Sequence, residues 1–387
     1  MTFQLIGGNA MKRVCFRTVV AAILAAVFVL FSTPDCLGGT TEYLVIYAVG
    51  LEDAASSLVN HRETASYNCY DHFRFPSDAV SVSTIDQTQI PDIGDGDGLT
   101  DSDEIRRYID WRHTTDPLRF VTLLGDQTTS PPRQCSFAEV PFYSGDSSDE
   151  PYVDFDEDGL ADLALGRIPA RTAGEAMAAV SKIISMDNTP WSDADMEWRN
   201  NVLITAFDES FIDMHDNMVS GEYAHEAAGY LADEVVSPVM RACGWQAIGY
   251  SSVIGGEEAR NQYVIDMFNA ADAVGVWIAI ATTSTPERPG NFLSAELNPQ
   301  DRLDNPAENR FPLALGMSCL TGVISETSGS MYRTLLVAED KGILAAVGPC
   351  DAVAQPTVIE FCRRLMLGLE TTPACDEARS LGRRWFL

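Results

Sequence analysis

Positive charge is what this sequence lacks most. Lys and Arg number 26 against 56 Asp and Glu, for a formal net charge of -30. Nucleic-acid binding needs clustered Lys and Arg to neutralise phosphates, so the balance excludes that class of partner. It fits a soluble extracellular protein, a cation binder, or both. Long apolar runs are also scarce: after residue 31 no segment is apolar enough to span a bilayer, which excludes a later transmembrane helix. No short-period internal repeat is present, which argues against a stacked-repeat architecture. Histidine is sparse. The five are His61, His72, His113, His215 and His225, and none lies between 226 and 387.

What is there is ordinary for a folded protein. The 387 residues, 46% hydrophobic and 21% charged, suffice for a sizeable core and roughly two domains. Lys12, Arg13 and Arg17 precede a continuous apolar run from Val19 to Phe31, and Ser32 to Gly39 is small and polar. That layout predicts a secretory signal peptide over residues 1–39, with an uncleaved N-terminal anchor as the other reading. The mature chain is then secreted, at the cell surface or periplasmic, with no membrane span beyond the signal segment. Nine cysteines are present, and Cys15 and Cys36 leave with the signal. An odd number remains, so in an oxidising compartment at least one thiol stays unpaired within the chain.

Past the signal, short wholly apolar runs alternate with helical patterns. Tyr43 to Val49, Ala79 to Ile85, Phe120 to Leu124 and Leu160 to Leu165 read as strands, the apolar ones buried on both faces. Ala54 to Thr64, Asp103 to Trp111 and Thr172 to Met186 read as helices, the last opened by a Thr cap with Glu175 as a capping box. Asp187 to Asn201 is polar and turn-rich. The pattern then restarts, with strands expected over 202–206, 246–250, 273–281, 311–317 and 343–347 and helices over 221–235, 257–269 and 356–367. The fold class is therefore α/β: two consecutive subdomains, 42–190 and 198–387, with mostly parallel sheets flanked by helices.

Two acidic loops suggest a cation. In the stretch from Ile93 to Glu104, Asp95, Asp97, Asp101 and Glu104 take the third, fifth, ninth and twelfth places of a calcium loop, with Gly98 at the sharp turn. The first place is Ile93, although Asp92 is adjacent. A second cluster has Asp154, Asp156 and Asp158 before Gly159, then Asp162, and lacks a bidentate Glu at its twelfth place. Hard Ca²⁺ wants six to eight oxygens, and alternate residues of a tight loop can turn carboxylates inward. The expectation is structural Ca²⁺; the plain alternative is a pair of solvated acidic turns.

Cys319 follows the apolar strand pattern Phe311 to Met317, and Thr321-Gly322 then turns the chain. Reactive groups of open α/β sheets gather at the carboxyl ends of strands. A thiol there is a candidate nucleophile, or else a buried structural cysteine or half of a disulfide.

Several separated segments carry a resemblance: YLVIYA from Tyr43, IRRYI from Ile105, VTLLGD ending at Asp126, DFDEDGLADLALGRIPARTAGEA from Asp154, VLITAFDES from Val202, IDMFNAADAV from Ile265 and MSCLTG from Met317. In order and spacing they resemble the catalytic region of the gingipain family of secreted cysteine peptidases, from about Tyr43 to near the C-terminus. The resemblance implies a caspase-like second subdomain, a protein or peptide substrate, Cys319 as nucleophile, and Asp208 as the acid that orients a histidine, with Glu209 beside it. It also places that histidine within Gly-His-Gly at the end of the strand before the cysteine strand. Here those positions are Ala279, Ile280 and Ala281.

The departure divides the functional expectation. One reading is a cysteine endopeptidase by descent, impaired or inactive, with His215, His225, Asp208 or Glu209 as conceivable substitute bases. The other is a non-catalytic pseudopeptidase that binds peptide or protein, or serves as a calcium-stabilised surface module. Glu222 lies near the place of the family's acid for basic substrates, and equally suits an exposed helix position.

Overall fold

The computed structural model describes residues 41–64, 80–92, 102–116, 118–126, 149, 152–156, 162–189, 198, 201–206, 211–212, 218–219, 246–251, 265–269, 274–280, 309–317 and 331–348. Its strands fall into two main sheets in chain order. The first contains β1 (Thr41–Tyr47), β2 (Val80–Asp86), β3 (Leu118–Leu124) and β4 (Ala164–Ile168) in the order β2-β1-β3-β4, all parallel. The second contains β5 (Asn201–Ala206), β8 (Gln246–Ser251), β9 (Val276–Ile280), β10 (Leu313–Met317) and β11 (Ala345–Val347). Its order is β11-β10-β9-β5-β8, again all parallel. Between β5 and β8 a small antiparallel pair joins β6 (Phe211–Ile212) to β7 (Met218–Val219).

The apolar run at β1 explains why the first sheet is covered on both sides. Successive strand side chains point to opposite faces, and here they enter different cores. Leu44 and Ile46 pack with Ile105, Tyr108 and Ile109 of helix α2 (Ser102–Thr115). Val45 packs with Ala54, Ala55 and Leu58 of α1 (Glu52–Thr64) and with Ala176 and Val180 of α3 (Ala173–Asn188). In the second sheet, Leu203, Trp277 and Ala314 share a core with Tyr332 and Leu335 of α4 (Met331–Val337). The Trp277 ring meets Phe268 and Tyr332 edge-on, at centroid distances of 5.5 and 6.0 Å.

Two local expectations shift. The strand expected over 160–165 lies at Ala164–Ile168. Asp162 is held in the preceding turn, where its N–H donates to Val153 O (2.7 Å) and its Oδ2 accepts from Phe155 N–H (2.9 Å), so the extended run starts later. The α3 cap forms as expected on one side, with Thr172 Oγ1 accepting from Glu175 N–H at 3.2 Å. Glu175 reaches back to Arg171 N–H (2.7 Å), one residue before the cap position. Of the helix expected over 257–269, residues 265–268 are helical. The helices expected over 221–235 and 356–367 lie outside the described residues, as do the signal segment and most of the linker. Among the described residues no helix is long and apolar enough to cross a membrane.

Among the described residues, contacts between the two layers, each a sheet with its helices, involve α3 and α4. Lys182, buried in α3, donates to the carbonyls of Leu335 (2.9 Å), Lys341 (2.9 Å) and Ile343 (3.0 Å). Its Nζ also lies 5.7 Å from the centroid of the Phe311 ring. Burial pushes the Lys182 ammonium down to about 7, while Asp340 pulls the other way. Arg333 of α4 donates to Glu175 Oε2 (2.6 Å) and Pro169 O (3.1 Å), and its Nε lies 4.0 Å from Oδ2 of the fully buried Asp126. Arg171 pairs closely with the same Asp126 oxygen. Asn309 adds a bond to Thr189 (3.0 Å), and Met186 packs with Trp198 and Leu344.

The turn after α4 requires glycine. Gly342 has φ +82, and a Cβ built there would lie 2.2 Å from Leu335 O, a backbone atom that cannot swing away. Gly342→Ala combines left-handed strain with that clash and is expected to cost about 2–4 kcal/mol. Urea unfolding measures it; a loss under about 0.5 kcal/mol, the scale of an ordinary surface substitution, would contradict the turn.

Candidate functional site

Among the described strands, the connectivity of the second sheet changes direction at one place. From β5 the chain goes outward to β8 on one side, then returns to lay β9, β10 and β11 on the other. The change of direction falls between β5 and β9, and ligands of open α/β sheets bind outside the carboxyl ends of the strands at such a point. The strands that bound it end level. Ala206 of β5 is in register with Ile280 of β9, and Ile280 with Met317 of β10. With neighbouring strands about 4.8 Å apart, Ile280 ends the middle strand between two strands that each lead into a candidate residue.

Those candidates follow directly in the sequence. Asp208 is two residues beyond Ala206, and Cys319 two beyond Met317. Both lie outside the described residues, as do Glu209, His215, Glu222, His225 and Ala281. The described backbone therefore brings together the three strand ends: the one before the acid, the one ending at the expected histidine position, and the one before the thiol. Ala279, next to Ile280, is in register with Gly316. Below this edge Trp277 is fully buried and fixes β9 in the core.

A second set of predicted residues does converge in space. Asp154, Asp156 and Asp162 each offer a carboxylate oxygen, and the three atoms lie within 4.8 Å of one another. Oxygens bound to one Ca²⁺ at 2.3–2.6 Å are separated by at most about 5 Å, so the spacing fits a shared ion. The turn is braced from α2: Arg106 Nη2 donates to the carbonyls of Asp154 (3.0 Å) and Phe155 (3.3 Å), and the His113 ring stacks on Phe155 at 5.4 Å. Asp158 lies outside the described residues. So do Asp95, Asp97 and Asp101 of the first loop, whose last member, Glu104, is buried in the first turn of α2 with Arg107 Nη1 at 3.6 Å.

Sequence reasoning missed the charged residues that join the layers. Lys182 reads as one polar position on a helix, because its three acceptors are more than 150 residues away in the chain. Asp126 and Arg171 lie inside segments that carried the family resemblance, but nothing local brings Arg333 to Asp126.

Comparison with known proteins agrees with this architecture. The crystal structure of the Arg-specific cysteine proteinase gingipain R (RGPB) superposes with a TM-score of 0.62 at 13% identity, over 92% of this chain and 74% of that one. The complex of Porphyromonas gingivalis RgpB pro- and mature domains gives a TM-score of 0.62 at 12% identity, over 89% and 74%. A structure described as a protease gives 0.56 at 14% identity; there the match covers 82% of this chain and only 60% of the other. These likenesses place the chain in the caspase-like gingipain fold. No curated protein matches. The sequence profile of Peptidase family C25 matches residues 37–384, nearly the whole chain. The chain belongs to peptidase family C25, the gingipain family.

Proposed function

We propose that this protein is a gingipain-type cysteine peptidase homologue in which Cys319 is the inherited nucleophile, Asp208 the orienting acid, and hydrolysis is impaired or lost because Ile280 stands where the histidine belongs. The observation that carries it is the register at the switch point, with Ile280 level with Ala206 and Met317. A free thiol with pKa about 8.5 is only a few per cent thiolate at neutral pH. Isoleucine neither lowers that pKa nor protonates a departing amine. Proteins or peptides are the ligands the family scaffold suits, and secretion or surface display is the location the N-terminal segment suits. The test compares parent and Cys319→Ala on mixed peptide substrates, with thiol alkylation followed by mass spectrometry. An alkylatable Cys319 without peptide turnover supports the reading. Thiol-dependent turnover by the parent at ordinary peptidase rates overturns the inactive half of it, and a Cys319 that no small reagent reaches overturns the nucleophile.

The alternative, a pseudopeptidase that binds peptide or serves as a calcium-stabilised surface module, is favoured by the absence of any histidine after residue 225. Calcium belongs to both readings. The convergence of Asp154, Asp156 and Asp162 supports a structural ion there, with Asp158 as a further donor; Asp95, Asp97, Asp101 and Glu104 would form a second site. An ion present at 100 times its Kd stabilises by about 2.7 kcal/mol. Chelator is therefore expected to lower the melting temperature by several degrees, and Asp156→Asn with Asp162→Asn to remove part of that difference. An unchanged melting curve would remove calcium from the account.

A further inference from the structure

We infer that α3 clamps α4 across the two layers, and that Lys182 and Arg333 are positioning residues for the chain segment that carries Cys319. That segment, residues 318–330, runs from the end of β10 to the start of α4. On the described side before it, β10 is held by its pairing with β9. On the described side after it, α4 is held by groups from α3 and the turn before α3.

Arg333, in the first turn of α4, is gripped by Glu175 Oε2 at 2.6 Å and Pro169 O at 3.1 Å, with buried Asp126 behind. A guanidinium fork on fixed acceptors sets orientation as well as distance. At the other end, the last carbonyls of a helix have no partner within the helix. Lys182 supplies one: its ammonium donates to Leu335 O of α4 and to Lys341 O and Ile343 O of the following turn. Three donors meet three carbonyls, which matches the donor count of the ammonium. Cationic charge beside a helix carboxyl end is also favoured by the aligned peptide dipoles. Other charged groups at the clamp are Asp340 near Lys182, and Arg171, Glu175 and Asp126 around Arg333. Pro169, Glu175 and Lys182 belong to α3 or to the turn just before it, so one rigid element holds both ends of α4.

The consequence for Cys319 rests on its reading as the nucleophile; the clamp itself does not. Hydrogen exchange followed by mass spectrometry on the full chain tests the clamp. In Lys182→Met and in Arg333→Gln, peptides covering 331–337 are expected to exchange at least about tenfold faster, while β1 peptides hold their parent rate. Arg333→Lys, which keeps the charge and loses the fork, should fall between. Unchanged exchange at α4 in both variants overturns the clamp, and so does equal acceleration at α4 and β1, which marks general destabilisation. Should Lys182→Met not fold, the two Arg333 variants decide alone. In the same samples the rate of Cys319 alkylation is expected to change at least threefold; an unchanged rate overturns the positioning role. A parent thiol that does not react overturns the nucleophile reading instead, and α4 exchange still decides the clamp.

Discussion

Restoring histidine at position 280, with glycine at 279 and 281, is expected to raise thiol-dependent peptide hydrolysis by about 10²–10⁴-fold over the parent, the range that general acid–base assistance supplies. The site is favourable because β9 ends level with β5 and β10. Position 280 lies in register between the strand leading to Asp208 and the strand leading to Cys319. The imidazole would draw the thiol toward thiolate and then give its proton to the amine that leaves. Both glycines are needed as well as the histidine, since Gly-His-Gly in this family places backbone close to the reacting carbonyl, and a Cβ restricts that approach. Ile280→His alone is therefore expected to recover less than the triple change. Adding Cys319→Ala to the triple variant should abolish the gain. A triple variant that folds, has a reactive thiol and still shows no turnover would mean that the crevice has lost more than its base.

Lys182→Met is expected to cost about 2–4 kcal/mol near pH 8, because the substitution keeps the volume and removes the Lys182 donor from Lys341 O and Ile343 O. Leu335 O keeps the Ile343 N–H at 3.2 Å and loses less. The pH dependence adds a second signature. Burial holds the folded-state value at about 7 against an ordinary 10.5. Between those limits the unfolded chain binds more protons at Lys182 than the folded one, so the parent gains stability on the variant as pH rises from 7 toward 10.5. Below 7 both states are charged and the gap is flat. At about 1.4 kcal/mol per pH unit, the full window amounts to roughly 5 kcal/mol at most. The three carbonyls act in the opposite sense, since they favour the ammonium, and will narrow it. Paired urea melts at pH 6, 8 and 9.5 measure the gap. One that shrinks with rising pH would show that the carbonyls outweigh burial.

The sequence made the fold legible wherever one local pattern decided an element. The apolar run at Tyr43 could only be a strand covered on both faces, and its side chains do enter two separate cores. Thr172 and Glu175 announced the start of α3 to within a residue. The start of β4 was misjudged because Leu160 and Leu163 look alike in an apolar count, whereas Asp162 is tied into the turn by two bonds that a count cannot see. At the candidate site, the segments were readable from composition and family likeness. Their alignment was not, because register depends on pairings between residues 37 and 74 positions apart. Lys182 is the sharpest miss. A lysine within a helix is ordinarily solvated, and only acceptors from a distant turn turn it into a buried cap.

The outer strand β11 carries one more consequence. It spans three residues and pairs with β10 through Leu313, Ala314 and Leu315 alone. Among the described residues it forms the open border of a sheet otherwise made of longer, fully parallel strands. A border of three residues offers a foreign strand few N–H and C=O groups to pair with, and short border strands are one way proteins avoid joining edge to edge. Among the described residues, that border is too brief to favour pairing edge to edge, or a ligand that would bind by extending the sheet.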